Sequence, residues 1–190
     1  MKKILMAVLC AAAVFAVRAE TLDINGNFEK INAKTKRPAN WYFNSWKLYK
    51  PLPKVEVIVE GESKVLHVSD IQGKRGTELY YAKPFPAVAG DTVTVKARVK
   101  GQGIVTFGIQ FRDDKNNYLS YTKRNGSRKL SGDWQDVKLT LKVADSKKAP
   151  TKNIYVTFSA NNGNELFISN LTAEKTSAAP AAAPAAAADK

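Results

Sequence analysis

The sequence predicts an all-β protein, an antiparallel β-sandwich of the jelly-roll kind, on three observations. Apolar and polar residues alternate with period two through the middle of the chain, turn residues punctuate the alternating runs, and no stretch there carries a sustained helical stripe.

The elements follow in chain order. Lys2 and Lys3 precede a continuous apolar run from Ile4 to Val17, and Val17-Arg18-Ala19 presents compact residues where a signal peptidase reads. That is the layout of an export signal over residues 1–19, and the run falls short of the roughly 20 apolar residues that a membrane span needs. The expected location is periplasmic or extracellular. The single cysteine, Cys10, would leave with the signal, so a domain over residues 20–175 must be held by its core without disulfides.

Within that domain, Gly61-Glu62 separates Val55–Val59 from Val65–Val68. Val93, Val95, Ala97 and Val99 alternate with Thr94, Lys96 and Arg98. Val105, Phe107, Ile109 and Phe111 alternate with Thr106, Gly108, Gln110 and Arg112. Val137, Leu139, Leu141 and Val143 form a third run, and Ile154, Val156 and Phe158 a fourth. Successive strand residues point to opposite faces, so each segment has one buried and one wet face, as in antiparallel sandwich sheets. Gly90-Asp91, Gly101-Gln102-Gly103, Asn125-Gly126 and Gly132-Asp133 supply the turns. About ten short strands are expected. In the last of them Leu166 and Ile168 lie on one face and Phe167 and Leu171 on the other, which reads as a strand buried on both sides. Residues 176–190 are Ala/Pro-rich; Pro180 and Pro184 break any long helix, and the segment reads as a disordered spacer or tail.

The net charge is +13, or about +10 once Lys2, Lys3 and Arg18 are removed. For an exported protein the anionic partners are an acidic polysaccharide or the cell envelope. The lysines are scattered and make no polybasic block, and nucleic acid is not an expected partner. The domain contains no transmembrane segment.

Catalytic constellations are sparse. His67 is the only histidine, so a His-based metal site or a nucleophile–His–acid triad lacks its cast, and His67 alternates with Leu66 and Val68 as an ordinary strand residue. No glycine-rich phosphate loop leads from a strand into a helix. Asp113-Asp114 and Asp133/Asp136 are the visible carboxylate pairs, and each lies in a polar turn that explains an Asp by itself. Glu78 shares a strand face with Tyr80. Aromatic residues, by contrast, recur where the core pattern does not demand them: Trp46, Tyr49, Tyr80 or Tyr81, Tyr118, Tyr121 and Tyr155. An aromatic face suits the C–H face of a sugar ring, and amide or guanidinium groups suit its hydroxyl edges. Arg98, Gln110 and Arg112 fall on polar strand faces, as does Tyr155 with Thr157 and Ser159; as neighbours in one sheet they would line a common wet surface.

Asn25-Gly26-Asn27-Phe28-Glu29, then Trp41, then Phe85 to Val95 around Gly90-Asp91, then Gly132-Asp133-Trp134-Gln135-Asp136-Val137, then Glu165 to Leu171 follow one another in a recognisable order. In that order and spacing the chain resembles the CenC-like group of cellulose- and xylan-binding modules, from about Leu22 to Glu174. The resemblance implies a galactose-binding-like jelly roll with Trp41 and Trp134 packed in the core. It also implies a binding strip on the faces holding Gln110, Arg112 and Tyr155, with Tyr80 nearby. Members often carry a structural calcium; Glu29 matches the first-strand carboxylate, and Asn170 stands where an Asp is expected. No other cofactor is expected.

The leading reading is a secreted, non-catalytic polysaccharide-binding domain. Its candidate ligand residues are Trp46, Tyr49, Tyr80, Arg98, Gln110, Arg112, Tyr121 and Tyr155, with Glu29 and Asn170 as candidate calcium ligands. Its alternatives are a structural or adhesive cell-envelope protein and a small glycoside hydrolase.

Overall fold

The computed structural model describes residues 19–45, 53–71, 77–122, 127–161 and 163–177. Residues 1–18, which hold most of the expected export signal, and residues 178–190 of the expected tail lie outside the described residues. The strands are β1 (Ala19–Leu22), β2 (Trp41–Ser45), β3 (Lys54–Glu60), β4 (Ser63–Ser69), β5 (Thr77–Tyr81), β6 (Phe85–Pro86) and β7 (Thr92–Gly101). They continue with β8 (Ile104–Arg112), β9 (Tyr118–Thr122), β10 (Ser127–Lys129), β11 (Gln135–Lys142), β12 (Asn153–Asn161) and β13 (Glu165–Thr176). The short ones, β1, β6 and β10, are too brief for an alternating pattern to announce them. Among the described residues no helix is long and apolar enough to cross a membrane.

Six strands form one antiparallel sheet in the order β11-β7-β13-β4-β3, with β1 beside the second half of β13. Seven form the other in the order β10-β8-β12-β5-β2, with β6 beside the start of β12 and β9 beside the end of β8. The two sheets face each other as a sandwich. Their inner faces are the predicted alternating sets: Val93, Val95 and Val99 from β7, Phe107 and Ile109 from β8, Ile154, Val156 and Phe158 from β12. Each such side chain contributes about 1.5–3 kcal/mol when fully buried. A one-residue slip would turn a whole set into water, and this fixes the register.

Two sequence expectations are corrected. First, β13 is not apolar on both faces throughout. Asn170 adopts a left-handed conformation (φ 51°) where the pairing with β7 shifts between Ser169 and Thr172. This bulge reverses the strand's parity, so Leu171 and Ala173 return to the core already entered by Leu166 and Ile168. Phe167 stays outside, half-buried and stacked on His67 at 4.5 Å. Second, Trp134 is outside the core, half-buried, with Arg98 and Lys100 over its ring at 5.4 and 5.0 Å. The Gly101-Gln102-Gly103 turn carries the chain from β7 in the six-stranded sheet to β8 in the seven-stranded one. Trp41 is in the core, as the resemblance implies.

The segment between β1 and β2 is held by its own side chains. Asn25 is 5% exposed and left-handed (φ 50°); its amide donates to the carbonyls of Lys30 (2.9 Å) and Ala39 (3.1 Å), and its oxygen accepts from Lys30 N–H (3.1 Å). Phe28 is fully buried, and Gly26 lies directly against the β13 bulge, accepting a hydrogen bond from Leu171 N–H at 3.2 Å.

Candidate functional site

The wet face of the seven-stranded sheet gathers four of the eight predicted binding residues, Gln110, Arg112, Tyr121 and Tyr155. In the register of β8 with β12, Gln110 lies opposite Tyr155, Gly108 opposite Thr157 and Arg112 opposite Asn153. In that of β8 with β9, Gln110 lies opposite Tyr121 and Arg112 opposite Tyr118. Three adjacent strands therefore place Tyr118, Tyr121, Gln110, Arg112 and Tyr155 side by side.

Arg112 is the hub. Its guanidinium lies over the rings of Tyr118 (5.5 Å) and Tyr155 (5.0 Å). Cation–ring contacts of this kind contribute about 0.5–2 kcal/mol each. Nη2 donates to the Gln110 side-chain oxygen at 2.6 Å, and Nη1 donates to the Asn116 carbonyl at 3.1 Å. Gln110 is only 8% exposed, so its amide is a fixed part of the floor. Asn116 belongs to a tight loop organised by Asp113, whose carboxylate accepts from the backbone N–H of Lys115 (2.9 Å) and Asn117 (2.7 Å) and from the Asn117 side chain (2.9 Å). The Asn117 side chain, with these backbone donors, holds the Asp113 carboxyl below the usual carboxylate range. Asp113 is thus engaged in building the loop.

Tyr121 is laid across the sheet over Gly108. A Cβ at position 108 would stand 2.5 Å from the Tyr121 hydroxyl oxygen, so only glycine leaves room for the ring. The fully buried Thr157 donates its hydroxyl to Tyr121 Oη at 2.9 Å. Burial pushes the Tyr121 phenol from 10 up to about 12, with the Thr157 hydrogen bond acting in the opposite direction. Between those values the folded protein keeps a proton that the unfolded chain has lost. The associated stability is present in full below pH 10 and declines as pH rises through 12, by roughly 2–3 kcal/mol. An ultraviolet absorbance titration with denaturant midpoints across that interval checks this. Tyr121→Phe should remove one late-titrating phenol and flatten the stability loss.

Other candidates are placed differently. Trp46 and Tyr49 lie outside the described residues. Tyr80 pairs through its backbone with Thr157 and Tyr42 on this same sheet, but its side chain lies outside the described residues. Tyr42, on the same face by alternation, is 61% exposed. Tyr81 points the other way, into the core against Trp41. Arg98 is a correction: it sits on β7 in the opposite sheet, over Trp134 and 3.8 Å from the Asp136 carboxylate. Alternation assigns a residue to a wet face without saying which sheet owns that face. His67 also lies on that opposite outer face, with Glu56 at 3.7 Å and Glu165 at 3.4 Å. Two contributors went unanticipated. Gly108 had a signal, a glycine at an outward position of an otherwise alternating strand. Asn116 acts through its carbonyl, which no sequence pattern reveals.

The donor set does not fit a resident calcium. Ca²⁺ takes six to eight oxygens, whereas the Glu29 carboxylate is engaged by the Lys64 ammonium. Asn170 occupies the left-handed bulge position, and among the described residues no three His, Cys, Asp or Glu side chains gather as a metal group.

No protein-family model matches the sequence, and no curated protein matches it. Solved structures do match. The CBM22-1 xylan-binding domain of Paenibacillus barcinonensis Xyn10C superposes with a TM-score of 0.53 at 14% identity, over 81% of this chain and 94% of that one. A CBM4 structure gives 0.51 at 15% identity, over 80% and 97%. A cyclase from Fischerella sp. TAU gives 0.57 at 14% identity, over 85% and 100%. The chain also spans 20% of an enzymatically active tailspike domain of bacteriophage CBA120, at TM-score 0.55 and 13% identity over 78% of its own length. At such identities the likeness shows the fold, an all-β jelly-roll sandwich of the kind found in carbohydrate-binding modules.

Proposed function

We propose that the protein is an exported, non-catalytic carbohydrate-binding domain of the CenC-like kind, holding a polysaccharide on the wet face of its seven-stranded sheet. The observation that carries this reading is the Arg112 guanidinium set between Tyr118 and Tyr155 and tied to Gln110. Two aromatic rings beside a fixed arginine and amide match a sugar's apolar faces and hydroxyl edges, and little side-chain freedom is left to lose on binding. The CBM22 and CBM4 likenesses support the same reading. A hydrolase would need two carboxylates about 5–10 Å apart across the bound chain. Glu78 is the one carboxylate that strand alternation puts on this face among the described residues, which favours binding without cleavage.

Affinity is expected in the micromolar to millimolar range, about −8 to −4 kcal/mol. Calorimetric titration against soluble xylan, cello-oligosaccharides and acidic polysaccharides tests it. A Tyr118→Ala/Tyr155→Ala double variant should bind at least tenfold more weakly while keeping its circular dichroism spectrum. A folded double variant that binds as well as the parent would move the site off this face.

A further inference from the structure

We propose that Arg112 makes this face selective for anionic glycans, by receiving a carboxylate or sulfate group carried on the sugar chain; the inference rests on the carbohydrate-binding reading above. Several cations on the molecule stand against carboxylates, among them Lys54 with Glu56 (2.7 Å), Lys175 with Glu20 (3.0 Å), Lys96 with Glu174 (3.4 Å) and Arg98 with Asp136 (3.8 Å). Arg112 has no such partner among the described residues, and part of its guanidinium is buried. Among the described residues its hydrogen bonds go only to neutral acceptors, the Gln110 amide and the Asn116 carbonyl, and no carboxylate lies within ion-pair distance. Its Nε–H is buried with no hydrogen-bond partner among the described residues. A full positive charge is therefore partly withdrawn from water without a counter-charge, a costly arrangement that an incoming anion would relieve.

The geometry suits an oxyanion. Nη1 and Nη2 each have a second hydrogen beyond the bond already described, and the two flanking rings restrict the guanidinium plane. A fixed planar fork favours the two oxygens of a carboxylate or sulfate over a single hydroxyl. The neighbouring acids leave this charge uncancelled. Asp113 turns its carboxylate to the loop N–H groups of Lys115 and Asn117. Glu78 lies opposite Ser159, six residues along β12 from Asn153 beside Arg112, or roughly 20 Å at about 3.3 Å per residue. The net positive charge of the chain adds attraction at long range.

The test measures binding of the purified protein to two matched polymer pairs, polygalacturonate with its methyl ester and dextran sulfate with dextran. Physiological ionic strength limits diffuse attraction to about 8 Å. The parent is expected to prefer at least one charged polymer over its neutral match by tenfold or more. Arg112→Gln should abolish that ratio, and Arg98→Gln on the opposite sheet should leave it intact. The pair showing the preference tells a carboxylate ligand from a sulfate. Equal binding of charged and neutral polymers by the parent overturns this inference and leaves the carbohydrate-binding reading standing. A preference that survives in folded Arg112→Gln also overturns it, assigning the effect to general positive charge. Absence of binding to all four polymers and to the neutral oligosaccharides above removes the carbohydrate-binding reading, and this inference with it.

Discussion

Replacing Trp41 with alanine is expected to cost about 3–5 kcal/mol of folding free energy, a large share of the roughly 5–15 kcal/mol that domains of this size have. Trp41 packs edge-on to Tyr81 at 5.6 Å and tilted on Phe158 at 5.1 Å, and Phe158 in turn meets Phe107 at 6.1 Å. Its indole N–H also donates to the Ile24 carbonyl at 2.9 Å, so truncation leaves both a cavity and an unpartnered buried oxygen. Trp41→Phe keeps most of the ring and loses the hydrogen bond, and should cost about 1–3 kcal/mol. Urea unfolding of the two variants separates the contributions. At about 2–4 °C per kcal/mol the alanine variant should melt roughly 10 °C lower. An unchanged midpoint for Trp41→Ala would show that this cluster is not the centre of the core.

The second large effect is expected at Gly26. A Cβ built there would stand 1.7 Å from the Leu171 carbonyl oxygen, and both partners are backbone, so no rotamer change relieves the clash. Gly26→Ala must push the β1–β2 segment off the bulge of β13 and break the Leu171-to-Gly26 hydrogen bond, costing about 3 kcal/mol or more. Gly61 is the useful contrast. It has φ +62° at the tip of the β3–β4 hairpin with nothing near its missing Cβ, so Gly61→Ala should cost only about 1 kcal/mol, from backbone strain. Equal losses at the two positions, read by thermal denaturation, would show that crowding against β13 is not what requires glycine at 26.

The long strands were legible because their inward residues alternate for four or more positions, as in Val93 to Val99 and Val105 to Phe111. What period two cannot show is a change of phase. Asn170 looks like any polar strand residue, yet its left-handed backbone reverses the faces of the residues that follow. Nor can alternation show sheet membership. Arg98 and Arg112 look equivalent in sequence, but the short connection around Gln102, flanked by Gly101 and Gly103 at positive φ, puts them on opposite sides of the sandwich. The grouping of Gln110, Arg112, Tyr121 and Tyr155 was readable as soon as β8, β9 and β12 became neighbours. Trp134 shows the limit of resemblance. Its counterpart is expected in a core, whereas here two cations hold it on an outer face.

The position of β13 has a bearing on how the molecule is made. It is the last strand described, yet it runs through the middle of the six-stranded sheet, between β7 on one side and β4 and β1 on the other. Until residues 165–176 have been synthesised, the β3–β4 hairpin and the β7–β11 pair have no strand to join them, and half of the core has no lid. Completion of the six-stranded sheet therefore waits for the insertion of one late segment between partners far away in sequence. A chain truncated before residue 165 should stay open to proteases that the full domain resists.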